Sequence, residues 1–213
     1  MFKKNITVLL SFLLIIISCT KNTTSPLSEK ENRFTIFKDT FDNIGNWNLT
    51  INTGNQESND EAEAKIEKGL LILWAKQDWL GASASASHSI NCEKEINNFT
   101  IKLVIQYFDP TFSAGASLNF SYKNYSIIVS LDLRNDTPIY NKKNIIITYS
   151  NNDILINLND QKISCYHTID TNYEGTSEIE IIVWACGADN YHSVTLKIDE
   201  IEIYTLESLH FKN

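Results

Sequence analysis

The chain has 213 residues, with 26 acidic side chains against 18 basic ones and a formal charge of −8. That balance repels nucleic acid and anionic lipid surfaces, and two arginines, Arg33 and Arg134, make no cluster that could grip phosphates bidentately, so a neutral ligand is the easier partner. A hydrophobic content of 43% with 11% aromatic residues is that of a folded globular protein.

Lys3 and Lys4 precede an apolar run from Ile6 to Ile17 that ends at Ser18 and Cys19. A basic start, a short apolar core and a small residue at the cleavage point make a signal peptide over residues 1–18. The run is too short to span a bilayer, which takes ~20 helical residues. Ile16-Ile17-Ser18-Cys19 resembles the bacterial lipoprotein signal, in which an aliphatic, a variable and a small residue precede a cysteine. The resemblance implies that Cys19 is lipidated on sulfur, becomes the new N-terminus and is acylated again on its amine. Two or three acyl chains hold a protein on a membrane stably where one does not. The expected location is therefore the bacterial cell envelope, outside the cytoplasm and lipid-anchored to a membrane. Loss of Lys3 and Lys4 with the leader takes the basic residues from 18 to 16 and the formal charge from −8 to −10. The 19–32 segment, polar and carrying Pro26 and the run Glu29-Lys30-Glu31, reads as a flexible tether.

Residues 33–206 carry strand signals throughout, with 207–213 as a tail. Phe34 to Phe37 leads to turns at Phe41-Asp42-Asn43 and Gly45-Asn46 before Trp47. Lys68-Gly69 divides Ala64 to Glu67 from Leu70 to Ala75 as a hairpin, because glycine supplies the positive φ of a tight turn. From Ala82 to Ser89, alanine and serine alternate strictly until His88, a composition with poor strand propensity that neighbours must hold. Phe99 to Tyr107 alternates and stops at Asp109-Pro110; Ala116 to Phe120 and Tyr125 to Leu133 pair around Tyr122-Lys123-Asn124. Asn151-Asn152 and Asn159-Asp160 are hairpin turns of the kind that tolerates left-handed backbone. Ser177 to Ala185 is apolar on both faces, the mark of a central strand covered on two sides. Val194, Leu196 and Ile198 share one face of the last strand while Ile201 and Ile203 fall on the other, so a bulge is expected at Asp199-Glu200.

A dozen or so short strands without crossover helices mean an all-β, two-sheet antiparallel jelly-roll sandwich. Phe41-Asp42, Gly45-Asn46-Trp47, Glu67 to Leu73, Ile154 to Lys162 and Leu196 to Ile201, in that order, resemble the concanavalin A-like, laminin-G-like superfamily over nearly all of Phe34 to Tyr204. The galactose-binding-like carbohydrate module, with similar opening and closing strands, is the alternative fold. Glucanases of the former fold carry Glu-x-Asp-x-x-Glu or Glu-x-Asp-x-Glu, which this sequence lacks; Lys197-x-Asp199-x-x-Glu202 comes nearest and has no nucleophile. Glu178 and Glu180 share a strand face, read as a solvated one. With the four histidines scattered and no Gly-x-Ser-x-Gly present, the expectation is that the protein is not an enzyme.

A lectin-like face wants an exposed aromatic ring for the C–H face of a sugar, beside amides or carboxylates for its hydroxyls. Gln77-Asp78-Trp79 runs into the Ala/Ser strand, which points to Trp79 as platform with Asp78, the serines Ser83, Ser85 and Ser87, and His88 beside it. Tyr122, Asn124 and Tyr125 form a second candidate at a hairpin tip, whereas Trp74 and Trp184 read as core and Trp47 as a plug for the sandwich end. The candidate ligand is a glycan, with a protein contact or a structural role as the alternative. No cofactor or metal is implied. Asp39, Asp42 and Asp199 would come together if the first and last strands were neighbours, but no Asp-x-Asp-x-Asp-Gly loop accompanies them. Cys92, Cys165 and Cys186 are read as buried free thiols, with one disulfide as the alternative.

Overall fold

Period-two patterning becomes strands along the whole domain. The computed structural model describes residues 32–207 apart from 44, 55–58, 78–80, 94–95, 97, 112, 124, 132–138, 164 and 187–191. The leader, Cys19 and the tether as far as residue 31, and with them Asp78, Trp79 and Asn124, lie outside the described residues. Residues Arg33–Leu206 make one compact unit.

The first strands are β1 (Asn32–Asp39), β2 (Asn48–Asn52), β3 (Glu61–Glu67), β4 (Leu70–Gln77) and β5 (Ala82–Ser89). Then come β6 (Phe99–Pro110), β7 (Ala114–Tyr122), β8 (Tyr125–Ser130), β9 (Lys143–Ser150) and β10 (Asp153–Leu158). The last are β11 (Gln161–Ile163), β12 (His167–Asp170), β13 (Glu178–Ala185) and β14 (His192–Glu207). They form an eight-stranded sheet, in the order β11-β10-β9-β6-β14-β4-β3 with β1 also on β14, and a six-stranded sheet in the order β12-β8-β7-β13-β5-β2. Every registered pair is antiparallel.

Three hairpins turn where the sequence places them. Lys68 and Gly69 sit at φ 54° and 73°, Asn151 and Asn152 at 53° and 63°, Asn159 and Asp160 at 46° and 67°: two successive positive φ values are the type I′ turn that matches strand twist. The core lies between the sheets. Leu71 and Leu73 on β4, Ile101, Leu103 and Ile105 on β6 and Ile145 and Ile147 on β9 are buried from one side; Ala82, Ala84 and Ala86 on β5, Leu118 and Phe120 on β7 and Ile179, Ile181 and Val183 on β13 from the other. β4 packs across from β5, so the leucines of one strand fill the volume that the alanines of the other leave, as facing layers of large and small residues must.

The N-terminal corner hangs on Asp39. Its two carboxylate oxygens accept the Phe41 N–H at 2.6 Å and the Trp47 Nε1–H at 2.8 Å. This holds Phe41, fully buried at φ 56°, in the left-handed region that a bulky residue otherwise avoids. Trp47 does close the sandwich end, buried against Phe41 with ring centroids 5.5 Å apart.

The bulge in β14 is present. Against β6, Lys197 pairs with Tyr107, Ile198 with Ile105 and Glu200 with Val104, so Gln106 on one strand and Asp199 on the other have no opposite residue. Val194, Leu196, Ile198, Ile201 and Ile203 consequently all reach the core with no exposed surface. The side chains displaced outward are held by charge. Lys142 pairs with Asp199, Arg33 pairs with Glu202 and stacks 3.6 Å over the Tyr204 ring, and Glu200 receives Lys102 at 3.2 Å and Lys38 at 3.5 Å. Partial burial pushes the Glu200 carboxyl up, but the Lys102 ammonium and then Lys38 outweigh it and hold the group below its ordinary value.

A carboxyl depressed in the folded state stabilises the fold above its unfolded pKa and loses that contribution as the pH falls through the folded one. Glu200→Gln is expected to cost about 0.5–1 kcal/mol near neutral pH. In urea melts taken down through the acid range, the gap to wild type should close as Glu200 protonates.

Candidate functional site

Ionisable and small polar side chains gather on the outward face of the six-stranded sheet. Inward alanines on β5 leave Ser83, Ser85 and Ser87 pointing out. Register then lays residues of neighbouring strands beside them. Ser83 lies opposite Trp184 and Trp184 opposite Gly115; Ser85 is opposite Ile182 and Ile182 opposite Ser117. In the next row Asn48, Ser87, Glu180, Asn119 and Ile128 run across five strands, followed by Ser89, Glu178, Ser121 and Ser126.

Trp184 covers Gly115 closely. A Cβ at that glycine would come 3.0 Å from the indole Cζ2, so only a residue without a side chain lets the ring lie against the strand. Asn119 Nδ2 donates to Glu180 Oε2 at 3.0 Å, and Asn119 Oδ1 is buried without a hydrogen-bond partner. A buried acceptor left unsatisfied is costly. One half-buried indole, a row of hydroxyls and two carboxylates are what a hydroxylated, uncharged ring would use: the indole takes its C–H face, the polar groups its hydroxyls.

The structure separates several residues that the sequence grouped. His88 continues the alanine side of β5, away from the serines; its ring packs 4.8 Å from Phe37 and 5.3 Å from Trp47, and Nδ1 lies 2.7 Å from the Ser89 carbonyl. It belongs to the end of the core. Tyr122 is 1% exposed and its hydroxyl donates to the Cys92 carbonyl at 2.8 Å; burial first, then that bond, raises its pKa. Such a ring cannot serve as a surface platform. Tyr125 is half-buried and edge-on to Tyr149 at 5.5 Å. Trp74 and Trp184 are corrected from core to outward: each is half-buried on the outer face of its sheet. The signal for Trp184 was available in β13 itself, where Glu178, Glu180, Ile182 and Trp184 are two apart; Ile182 had suggested cover on both faces.

Asp39, Asp42 and Asp199 do not assemble. Asp39 is spent on Phe41 and Trp47, Asp42 accepts the Thr40 hydroxyl at 2.7 Å and Asp199 pairs with Lys142. Among the described residues no group of three histidine, cysteine or carboxylate side chains is placed to hold a metal ion. Of the cysteines among the described residues, Cys92 and Cys165 are half-buried and Cys186 is exposed where burial was expected.

These two sheets define a concanavalin A-like jelly roll. No protein-family model and no curated protein sequence matches the chain. Solved structures do. The GlcNAcα1-4Gal-releasing endo-β-galactosidase from Clostridium perfringens superposes with a TM-score of 0.50 at 8% identity, over 84% of this chain and 64% of its own. The carbohydrate recognition domain of Emp47p (TM-score 0.49, 11% identity, 84% and 100% covered) and the catalytic domain of the laminarinase from Thermotoga maritima MSB8 (0.49, 11%, 84% and 100%) lie near it. At such identities the likeness is one of fold. It corrects the expectation that the protein is not an enzyme: the endo-β-galactosidase builds a glycosidase on this same sandwich, so a missing glucanase motif is no ground for excluding catalysis.

Tyr122→Phe removes one buried hydrogen bond and is expected to lower stability by about 1 kcal/mol in chemical denaturation. It should leave any ligand affinity of the outward face unchanged, because the ring faces the core.

Proposed function

We propose that this protein is a lipid-anchored module of the bacterial cell envelope, exposed outside the cytoplasm, that binds glycans on the outward face of its six-stranded sheet. The observation that carries the ligand class is Trp184, laid over Gly115 with the hydrogen-bonded pair Asn119 and Glu180 two rows away. Support for a neutral ligand comes from the acidic chain, which disfavours polyanions. Ser83, Ser85, Ser87 and Ser117 keep the surface low beside the indole, so a sugar ring can approach edge to edge across several strands.

A second reading, glycoside hydrolysis, is favoured by one feature of the same face. Glu178 and Glu180 are two residues apart on β13, both half-buried and both outward. Alternate residues of a strand stand roughly 6.5–7 Å apart along it, a spacing from which flexible glutamates can approach the separations that glycosidases use. Asn119, bonded to Glu180, would orient one of the pair.

Affinity electrophoresis through gels cast with neutral polysaccharides tests both readings. The wild-type protein should be retarded by at least one polysaccharide and Trp184→Ala should run as in an empty gel; retardation that survives the substitution sinks the platform. Reducing ends released from the retarding polysaccharide, and lost in Glu178→Gln and Glu180→Gln, would select hydrolysis over binding alone.

The anchor is tested separately. Intact-mass analysis of the membrane fraction should find the chain beginning at Cys19 with fatty acyl groups attached. Cys19→Ser should release the protein from that fraction.

A further inference from the structure

A cavity of about 430 Å³ opens at one edge of the sandwich, where the last strands of the two sheets approach. Ile154, Ile156 and Ile163 of β10 and β11 line it from one sheet, and Cys165 and His167, at the start of β12, from the other; Lys162 completes the wall. Ile154 and Ile156 are 8% and 3% exposed, so the floor is the core itself. The pocket opens to solvent, and its isoleucine floor gives an alkyl group a surface on which to leave water. It falls within the ~300–1,000 Å³ range of small-molecule sites.

The lining also carries a charge preference. Among the described residues of the lining the ionisable nitrogen-bearing side chains are Lys162 and His167, and none is a carboxylate, on a chain with a formal charge of −8. Lys65, Lys76, Lys102 and Lys142 are each paired with a carboxylate, whereas Lys162 is exposed and has no ion pair among the described residues. His167 Nδ1 lies 3.2 Å from the Cys165 carbonyl, which fixes the ring at the rim and leaves Nε2 for another partner. An apolar floor with a cationic rim is complementary to a single alkyl chain that ends in an anion.

We infer that this cavity binds an alkyl carboxylate, its chain against Ile154, Ile156 and Ile163 and its head at Lys162. The site is separate from the outward face proposed for glycans, and neither reading depends on the other.

Sodium dodecanoate, used below its micellar concentration, is the probe. The chain from Thr20 onward, which retains every described residue, is titrated by calorimetry, with dodecanol and dodecyltrimethylammonium as comparisons. Saturable one-to-one binding of dodecanoate is expected, weakened at least fivefold by Lys162→Glu, a substitution at an exposed position that leaves the fold intact. The same substitution should leave dodecanol unaffected and strengthen dodecyltrimethylammonium. Absence of saturable binding, or affinity indifferent to Lys162→Glu, would overturn the assignment.

Discussion

The displaced pairing at Asp199 is the constraint on which the eight-stranded sheet depends. β14 is sixteen residues long and pairs with β6, β4 and β1. A strand of strict alternation would turn Ile201 and Ile203 to solvent after burying Val194, Leu196 and Ile198. Leaving Asp199 unpaired resets the phase, and Gln106 on β6 provides the matching irregularity a step earlier. The cost is a set of outward acidic groups close together, and Lys38, Lys102, Lys142 and Arg33 offset it from three other parts of the chain. Arg33 and Lys38 belong to β1, so the first strand docks where the last one needs cations.

A second constraint runs through β5. Alanine inward and serine outward give a strand little intrinsic preference for its conformation, and β13 and β2 supply it by pairing on both sides. The same composition has two structural effects. Inward, it admits the leucines of β4; outward, it leaves a low polar floor next to Trp184. A bulkier outward row would bury the indole, and a bulkier inward row would push the sheets apart.

The two faces of this sheet also explain why neighbouring residues have different roles. His88 and Ser87 are adjacent in sequence, yet one packs between Phe37 and Trp47 and the other lies in line with Glu180 and Asn119. Tyr122 and Ser121 divide in the same way, the tyrosine bonding to the Cys92 carbonyl and the serine hydroxyl donating to Ser126 at 3.2 Å. Opposite charges and small polar groups are thereby sorted outward without interrupting the apolar layer between the sheets.

Sequence alone determined the all-β class, the three type I′ turns and the bulge near Asp199, because each follows from local rules: period two, residues that tolerate positive φ, and a visible change of phase within one strand. Only the tertiary structure decided which side faces the core in strands that are apolar on both. Where both sides of a strand are apolar, as in β13 with Ile181 beside Ile182, periodicity carries no preference, and the choice is made by what the adjacent strands offer. Gly115, more than sixty residues away from Trp184 in sequence, is set beneath the indole by the register of β7 against β13. Long-range register of this kind is fixed by the summed packing of two sheets, which no short stretch of the chain contains.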